Sequence, residues 1–454
     1  MNINKKSEET HMKRKVIQYM ILAIYFLSPL PIAFISLKGL NFSLAAPAFI
    51  GIVSYTWLLS ELITAARPKF IEKYFSLDKF HRFHGIMAIV ALALGLMHKE
   101  WASFAWGEFE FSTVFGDFAI MLFLLLTVLS VFFMTNWLGK IKIIKIVKDT
   151  VGNFFFSKYS VMKFLHNFNI VAIIALSVHV ITIAYLVRGD MTLTMLYALY
   201  FIVSLGFYVY HKLIRPILLK KNIYTITDVV NENDQIVSLT LAAENGRLFD
   251  YQAGQFIYLR VLDGNYSFEE HPFSLTSAPE NPRALSVSIK DSGDYTHIIQ
   301  RIKAGTKVTV EGPYGGLGQP LEDIQNTDKS LVLFAGGVGI TPMLGILESL
   351  RKKNAKNKAV LIWSLRNENE LAYSAELASF QKDMPNFTFV PFYSTRNGYL
   401  DAKKTEAICE SAEVPYATSE FVLCGPKGFM HTIESTLVSK NVPKQKIHFE
   451  PFGL

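Results

Sequence analysis

Six apolar stretches crowd into the first 215 residues of this 454-residue chain, at about 16–37, 43–65, 81–104, 114–135, 162–187 and 192–211. Each is near the ~20 residues a helix needs to cross a bilayer. A backbone without water must satisfy its own hydrogen bonds, so these stretches predict a bundle of six membrane-spanning helices. The chain is 51% hydrophobic with a mean hydropathy of +0.27, an excess confined to this half. No small-residue cleavage site follows the first stretch and five more come after it, so it is predicted to be a retained helix and not a signal peptide.

Basic residues predict the orientation. The segment before the first span carries Lys5, Lys6, Lys13, Arg14 and Lys15, and the next even-to-odd connection carries Arg67, Lys69, Lys73, Lys79 and Arg82. The following one holds Lys140, Lys142, Lys145, Lys148, Lys158 and Lys163, and the exit from span six holds Lys212, Arg215, Lys220 and Lys221. Alternate connections have only Lys38, Lys99 and Arg188, with Glu100, Glu108 and Glu110 nearby. This is the positive-inside pattern, and it predicts a multi-pass protein of the plasma membrane with both termini cytoplasmic. The net charge of +7 is thereby accounted for by topology, with no call for a nucleic acid partner.

Four histidines lie within the apolar half as two pairs, His84 with His98 and His166 with His179, separated by 14 and 13 residues. Each spacing covers roughly 20 Å of helix axis. Spans three and five both run from inside to outside in the predicted topology. His84 and His166 therefore share an inner depth, and His98 and His179 an outer one. Ionisable side chains at membrane depth are costly and usually functional. Taken singly, such a histidine is more often a packed or interfacial residue; two matched pairs reverse that and point to two bis-histidine haem sites, six-coordinate and suited to passing electrons. Thirteen residues do not return to the same helical face, so the second helix must distort or the two haems must be rotated. His81, one turn before His84, fits either a haem propionate contact or an interfacial position.

Only two cysteines are present, Cys409 and Cys424. There is no CxxCH for covalent haem, no four-cysteine set for an iron–sulfur cluster and no disulfide framework. Electrons are therefore expected to enter through an organic cofactor.

From about residue 222 the pattern becomes that of a water-soluble fold. Alternating runs such as 236–241 and 256–261 read as strands of an antiparallel barrel over 222–320. Within it, His271-Pro272-Phe273-Ser274-Leu275-Thr276-Ser277-Ala278-Pro279 combines a proline-fixed strand exit with an aromatic ring and hydroxyls, suited to one face of a flat ring system. Ser292-Gly293-Asp294-Tyr295-Thr296 offers a glycine turn whose N–H groups can meet a pyrophosphate. Residues 328–454 alternate strands and helices. There a strand at 331–335 runs into Gly336-Gly337-Val338-Gly339-Ile340-Thr341-Pro342 and a helix, the setting for dinucleotide binding, although the spacing is not GxGxxG. The next strand ends in Ser364-Leu365-Arg366 with no acid at its end, which favours a 2′-phosphate and thus NADPH. Arg396 is placed to assist, and each arginine alone also fits a solvated surface position. A further strand leads into Cys424-Gly425-Pro426, whose thiol falls near a nicotinamide or is simply a small buried group.

In order along the chain, the histidine spacings, HPFSLTSAP, SGDYT, GGVGITP and CGP together resemble the NADPH oxidase and ferric reductase superfamily, over nearly the whole chain. The resemblance implies a six-helix transmembrane bis-haem domain (16–215, after a cytoplasmic tail at 1–15), a ferredoxin-reductase-like FAD barrel and an NADP-binding α/β domain. It implies cofactors FAD, NADPH and two haem b. His271, Pro272, Phe273, Ser274 and Thr276 would line the FAD, with Gly293, Asp294, Tyr295 and Thr296 at its pyrophosphate. Gly336, Gly337, Gly339, Thr341 and Pro342 would hold NADPH, Ser364 and Arg366 would read its 2′-phosphate with Arg396, and Cys424 and Gly425 would border the hydride path. Phe452 would cover the flavin ring. His84, His98, His166 and His179 would bind the haem irons.

The expected activity is transmembrane electron transfer from cytoplasmic NADPH to dioxygen, giving superoxide, with a ferric or cupric chelate as the alternative acceptor. Animal oxidases of the family carry a further histidine one turn beyond the outer ligand of span three, where this chain has Ala102. No EF-hand loop and no long proline-rich tail are present, so neither calcium control within this chain nor an obligatory cytosolic activator is expected. A reading from another class makes the first half a histidine-lined transporter or anchor fused to a flavin reductase; no internal repeat supports it.

Overall fold

The computed structural model describes residues 2–72, 74–75, 77–106, 110–134, 159–246, 248–263, 269–281, 283–324 and 327–451. The chain divides into two compact units, one formed by 12–75 and 79–214, the other chiefly by 215–454.

The first unit is helical. Helix α1 (Asn2–Leu27) already includes the segment expected as a tail. It gives way at Pro29, which lacks an amide hydrogen, to α2 (Leu30–Ser36). The Ser28 carbonyl at this break accepts the Tyr200 hydroxyl at 2.7 Å. Asn41 opens α3 (Phe42–Ala65) by accepting the Leu44 N–H at 3.2 Å. The helices α4 (Lys69–Glu72), α5 (Leu77–Trp106) and α6 (Glu110–Met134) follow, then α7 (Tyr159–His166) and α8 (Asn169–Thr182). Asp190 caps α9 (Met191–Val209) through the Leu193 N–H at 2.9 Å.

Six stretches of these helices are long and apolar enough to cross a membrane: Met12–Ser36, Phe42–Ala65, Lys79–Ala105, Ser112–Phe133, Val161–Val187 and Met191–Leu219. They correspond one for one with the expected spans. One core joins them, drawing Ile32, Tyr55, Leu59, Ala91, Ala119, Ala172 and Leu193 from all six. Large apolar side chains also face outward, Phe34 at 85% and Phe104 at 91% exposure. Exposure on that scale is what a lipid-facing or partner-facing surface presents. Six of the lysines used to infer orientation (Lys73, Lys140, Lys142, Lys145, Lys148 and Lys158) lie outside the described residues.

The second unit opens with α10 (Arg215–Leu219) and holds two sheets. The first contains β1 (Ile223–Asn233), β2 (Ile236–Ala243), β3 (Phe256–Val261), β4 (His271–Ser274), β5 (Leu285–Lys290) and β6 (Lys307–Tyr314). All its pairings are antiparallel in the order β4-β3-β6-β1-β2-β5. A bridge from Leu275, just past β4, to Val287 in β5 joins the two edges and closes the barrel. Its inside is aliphatic, with Ile226, Leu239, Leu241, Ile257, Val287 and Val310 fully or nearly fully buried.

Two short helices, α11 (Asp294–Ile299) and α12 (Pro320–Ile324), precede the α/β part. There β7 (Ser330–Gly336), β8 (Ala359–Leu365), β9 (Phe387–Tyr393), β10 (Ser419–Gly425) and β11 (Ile447–Pro451) form a parallel sheet in the order β11-β10-β7-β8-β9. This is a doubly wound order whose switch point lies between β7 and β10, where ligands bind in such sheets. Every residue of β7 and of β10 is buried, as the unbroken apolar run of β7 requires of a strand covered on both faces. Helix α13 (Ile340–Lys352) follows β7 and packs against the barrel: a Cβ on Gly345 would come within 2.8 Å of the Leu275 carbonyl.

Candidate functional site

In the helical unit the four histidines are each held through Nδ1 by a neighbouring helix. His84 Nδ1 lies 2.5 Å from Glu61 Oε2 and 3.1 Å from Thr64 Oγ1, both on α3. His98 Nδ1 donates to the Pro47 carbonyl, also on α3, at 2.9 Å. On the other pair, His166 Nδ1 lies 3.0 Å from Ser130 Oγ and His179 Nδ1 donates to the Ser112 carbonyl at 2.7 Å, both on α6. A carbonyl can only accept, so the Nδ1 of His98 and of His179 carries the proton and Nε2 keeps its lone pair. That is the tautomer of a metal-binding imidazole oriented by a second partner.

The two expected outer histidines share one local motif. Each bonds a carbonyl on the adjacent helix, Pro47 or Ser112, and each lies against the glycine four residues further on. A Cβ on Gly51 would meet His98 Nδ1 at 2.6 Å, and one on Gly116 would meet His179 Nδ1 at 3.1 Å. Glycine is what lets an imidazole lie this close to a helix backbone. Beside them Lys99 and Asp117 form an ion pair at 3.0 Å.

The 13-residue spacing is accommodated by a broken helix. Helix α7 ends at His166 and α8 begins at Asn169, with N–H bonds from Asn167 to Phe164 and from Phe168 to Leu165 marking a tightened turn. Such a turn advances about 120° per residue, against about 100° in an α-helix, and makes up part of the angular deficit. The Asn169 side chain donates to the His166 carbonyl at 2.9 Å and secures the break.

The rings of His84 and His166 have centroids 6.2 Å apart. Two metal–nitrogen bonds of about 2.0 Å plus half the width of each ring add up to about that separation. Among the described residues no group of three or more His, Cys, Asp or Glu side chains is placed to hold a metal ion. The donor set and its spacing fit a haem.

In the second unit the motifs at 271 and 292 meet. The His271 ring stacks on Tyr295 with centroids 3.8 Å apart, and His271 Nε2 lies 2.8 Å from Glu269. Ser274 is buried, and the Phe273 ring packs against the barrel core. Pro272 is exposed, and Thr276 bonds through its N–H to Ser286. Ser277 Oγ accepts the Ser286 N–H at 3.0 Å and pairs with the Tyr251 hydroxyl, whose pKa burial pushes up to about 12. Gly293 and Asp294 are exposed at the start of α11, with open space beside Gly293. The Thr296 hydroxyl closes its own turn, accepting from the Ser292 N–H and donating to the Gly293 carbonyl.

At the switch point the glycines divide their work. A Cβ on Gly336 would meet Pro426, and one on Gly339 would lie 2.0 Å from the Cys424 carbonyl, so both serve close backbone packing onto the turn after β10. Gly337, at φ +55°, has open space beside it, and its carbonyl accepts the buried Trp363 indole at 2.8 Å. Thr341 and Pro342 are buried, with the Thr341 hydroxyl bonded to the Val338 carbonyl, so both brace the turn. Cys424 is fully buried and its Sγ lies 3.4 Å from the Glu450 carbonyl; burial, then the Glu450 carboxylate, raises the thiol pKa well above its ordinary value. A neutral thiol beside Gly425 can shape a pocket but is no nucleophile.

Ser364 is half-buried at the end of β8 and Arg366 is exposed beyond it. Thr395 bonds the Arg366 carbonyl through its N–H and its hydroxyl, which brings the Arg396 turn alongside. The acid missing from the strand end arrives from the following loop: Glu370 accepts the Arg366 N–H at 2.9 Å and Glu368 pairs with Arg396 at 2.8 Å. Phe452 lies outside the described residues.

Inspection of sequence alone passed over Glu61, Thr64, Ser130, Gly51 and Gly116. Glu61 had a signal, an acid inside an apolar span; the glycines and hydroxyls had none.

Residues 220–317 match the family model of an FAD-binding domain, and residues 333–435 that of an oxidoreductase NAD-binding domain. Among curated proteins, the ferredoxin reductase component of a 3-ketosteroid-9-alpha-monooxygenase from Rhodococcus rhodochrous is 29% identical over 51% of this chain and 65% of its own length. A flavohemoprotein from Deinococcus radiodurans is 27% identical over 51% of this chain and 59% of its own. The chain thus spans less than two thirds of the length of the curated relatives it matches. Among solved structures, the FAD/NAD binding domain of a nitric oxide dioxygenase from Vibrio cholerae O1 biovar El Tor aligns with 51% of this chain and 99% of its own, at 23% identity and a TM-score of 0.43. The C-terminal half of the chain thus matches the model of an FAD-binding domain followed by that of an oxidoreductase NAD-binding domain.

Proposed function

We propose that the protein carries electrons from NADPH on the cytoplasmic side of the plasma membrane to an acceptor on the other side, dioxygen being reduced to superoxide. When bound, FAD takes hydride from NADPH and two b-type haems carry single electrons across the bilayer. The observation that carries this reading is the set of four histidines on candidate membrane spans, each held through Nδ1 by a neighbouring helix, with the His84 and His166 rings 6.2 Å apart. Glu61, Pro47, Ser112 and Ser130 orient the imidazoles, while the glycine turn at 336–339 and the stacked His271–Tyr295 pair shape the nucleotide sites.

The test uses purified, FAD-loaded protein with NADPH in air, following cytochrome c reduction with and without superoxide dismutase. Strong suppression by the dismutase is expected. Weak suppression, with fast anaerobic reduction of ferric chelates, assigns the protein to the metal reductases. A spectrum lacking a bis-histidine b-type haem returns the helical unit to the transporter or anchor reading.

NADPH is proposed over NADH on the two arginines that the β8 and β9 ends bring together. Loss of one charge-assisted bond is worth about 1.5–3 kcal/mol. Arg366→Ala is therefore expected to raise KM for NADPH roughly 10- to 100-fold with little change for NADH. Equal effects on both nucleotides sink the 2′-phosphate assignment.

A further inference from the structure

Of the four Nδ1 atoms, only one meets a carboxylate among the described residues. His98 and His179 bond to backbone carbonyls and His166 to a hydroxyl, whereas His84 lies 2.5 Å from Glu61 Oε2. Glu61 sits in span two, 5% exposed, and spends its acceptor capacity within the bundle. The Tyr25 hydroxyl donates to Oε1 at 2.6 Å, and the Thr64 hydroxyl lies 2.8 Å from Oε2. An acid held this deep in an apolar helix is expensive, and a purely structural contact to a histidine needs no charge: Pro47, Ser112 and Ser130 do the same with neutral oxygens.

We infer that Glu61 sets the redox poise of the His84/His166 site, making it the lower-potential of the two and the direction from it to the His98/His179 site downhill. The inference rests on the haem reading above and goes beyond it. A carboxylate accepting the Nδ1–H raises the basicity of the imidazole it orients. A more basic axial ligand stabilises the oxidised, more positively charged metal, and hydrogen bonding around the ligands is one of the means by which proteins tune haem potential. Low local dielectric keeps the effect from being screened. Among the described residues the direct Nδ1 partners of the other three histidines are neutral, and Asp117 near His179 is paired with Lys99, so the bias falls on one site. Glu61 acts through His84, so it is a positioning residue and not a ligand.

The experiment is a potentiometric titration of the full-length protein in lipid nanodiscs, read by haem absorbance, for wild type, Glu61→Gln, Glu61→Asp and Tyr25→Phe. Wild type is expected to show two one-electron waves. Glu61→Gln keeps the shape and an acceptor oxygen but loses the charge. Its lower wave is expected to rise by at least tenfold in the ratio of reduced to oxidised haem at fixed ambient potential, about 59 mV for a one-electron couple. The upper wave stays in place, and Glu61→Asp returns the lower wave towards wild type. Tyr25→Phe removes a donor from the carboxylate and leaves its charge to His84, so the lower wave is expected to fall. These opposite signs distinguish a poise-setting role from simple loosening of the bundle. Tyr25→Phe also decides the matter if Glu61→Gln fails to retain haem. Two haems with waves that do not move, or an upper wave that moves as much as the lower, overturns the inference and leaves the electron-transfer reading standing. A wild-type protein that takes up no haem overturns both, and the absorbance spectrum shows this before any titration.

Discussion

Replacing His98 with alanine is expected to remove one of two haem equivalents per chain and stop electron delivery across the membrane, while NADPH still reduces FAD. The imidazole is held by the Pro47 carbonyl at 2.9 Å and, on the proposed ligation, is one of two histidine donors to its site. Losing a partner that orients a ligand's imidazole costs roughly 10- to 100-fold in metal affinity; losing the ligand itself costs more. The pyridine haemochrome assay gives the haem content, and ferricyanide reduction at the flavin gives the reaction that survives. Gly51→Ala is expected to do nearly the same without touching a donor, because its Cβ would fall 2.6 Å from His98 Nδ1 in a packed bundle. Full haem content and undiminished transmembrane transfer in His98→Ala would mean the ligation is wrong.

The second large effect is expected in the other unit. In Gly339→Ala the new Cβ would lie 2.0 Å from the Cys424 carbonyl oxygen and 2.6 Å from its carbon. Both are backbone atoms at the end of β10, which pairs with β7 on one side and β11 on the other, so neither moves without shifting the sheet. Overpacking of this kind costs about 1–3 kcal/mol. At roughly 2–4 °C per kcal/mol for a unit of this size, the melting transition of the C-terminal unit falls by several degrees. Hydride transfer from NADPH should fall further, because the displaced turn is the one expected at the pyrophosphate. Gly337→Ala is the control. Its φ of +55° strains an alanine, but nothing lies within 4 Å of the added carbon. The left-handed conformation costs about 1–2 kcal/mol, and the sheet stays in register. Differential scanning calorimetry and stopped-flow flavin bleaching check both variants. If Gly337→Ala disturbs β10 as much as Gly339→Ala does, the division of labour among these glycines is wrong.

Much of this architecture was legible in the residues. Each of the six apolar stretches falls on helix long and apolar enough to cross a membrane, because length and hydropathy are local properties. The strands at 236, 256, 331, 359 and 420 fall where alternation or continuous apolar runs put them, for the same reason. The angular mismatch of the 13-residue histidine spacing called for a distorted helix or rotated haems, and the break between His166 and Asn169 supplies part of the first. The acids here were not legible because Glu370 and Glu368 lie past the strand end and reach the Arg366 N–H and the Arg396 side chain, respectively, only when the loop folds back.

What tertiary structure decided is who touches whom across large sequence separations. Glu61 and His84 are 23 positions apart on different helices, Gly51 and His98 are 47 apart, and His271 meets Tyr295 only after the barrel closes. Composition and periodicity select the face a residue occupies within its own element. The identity of the opposing atom, a carboxylate for one histidine and a neutral oxygen for the other three, depends on how elements cross, which packing sets and no local pattern encodes.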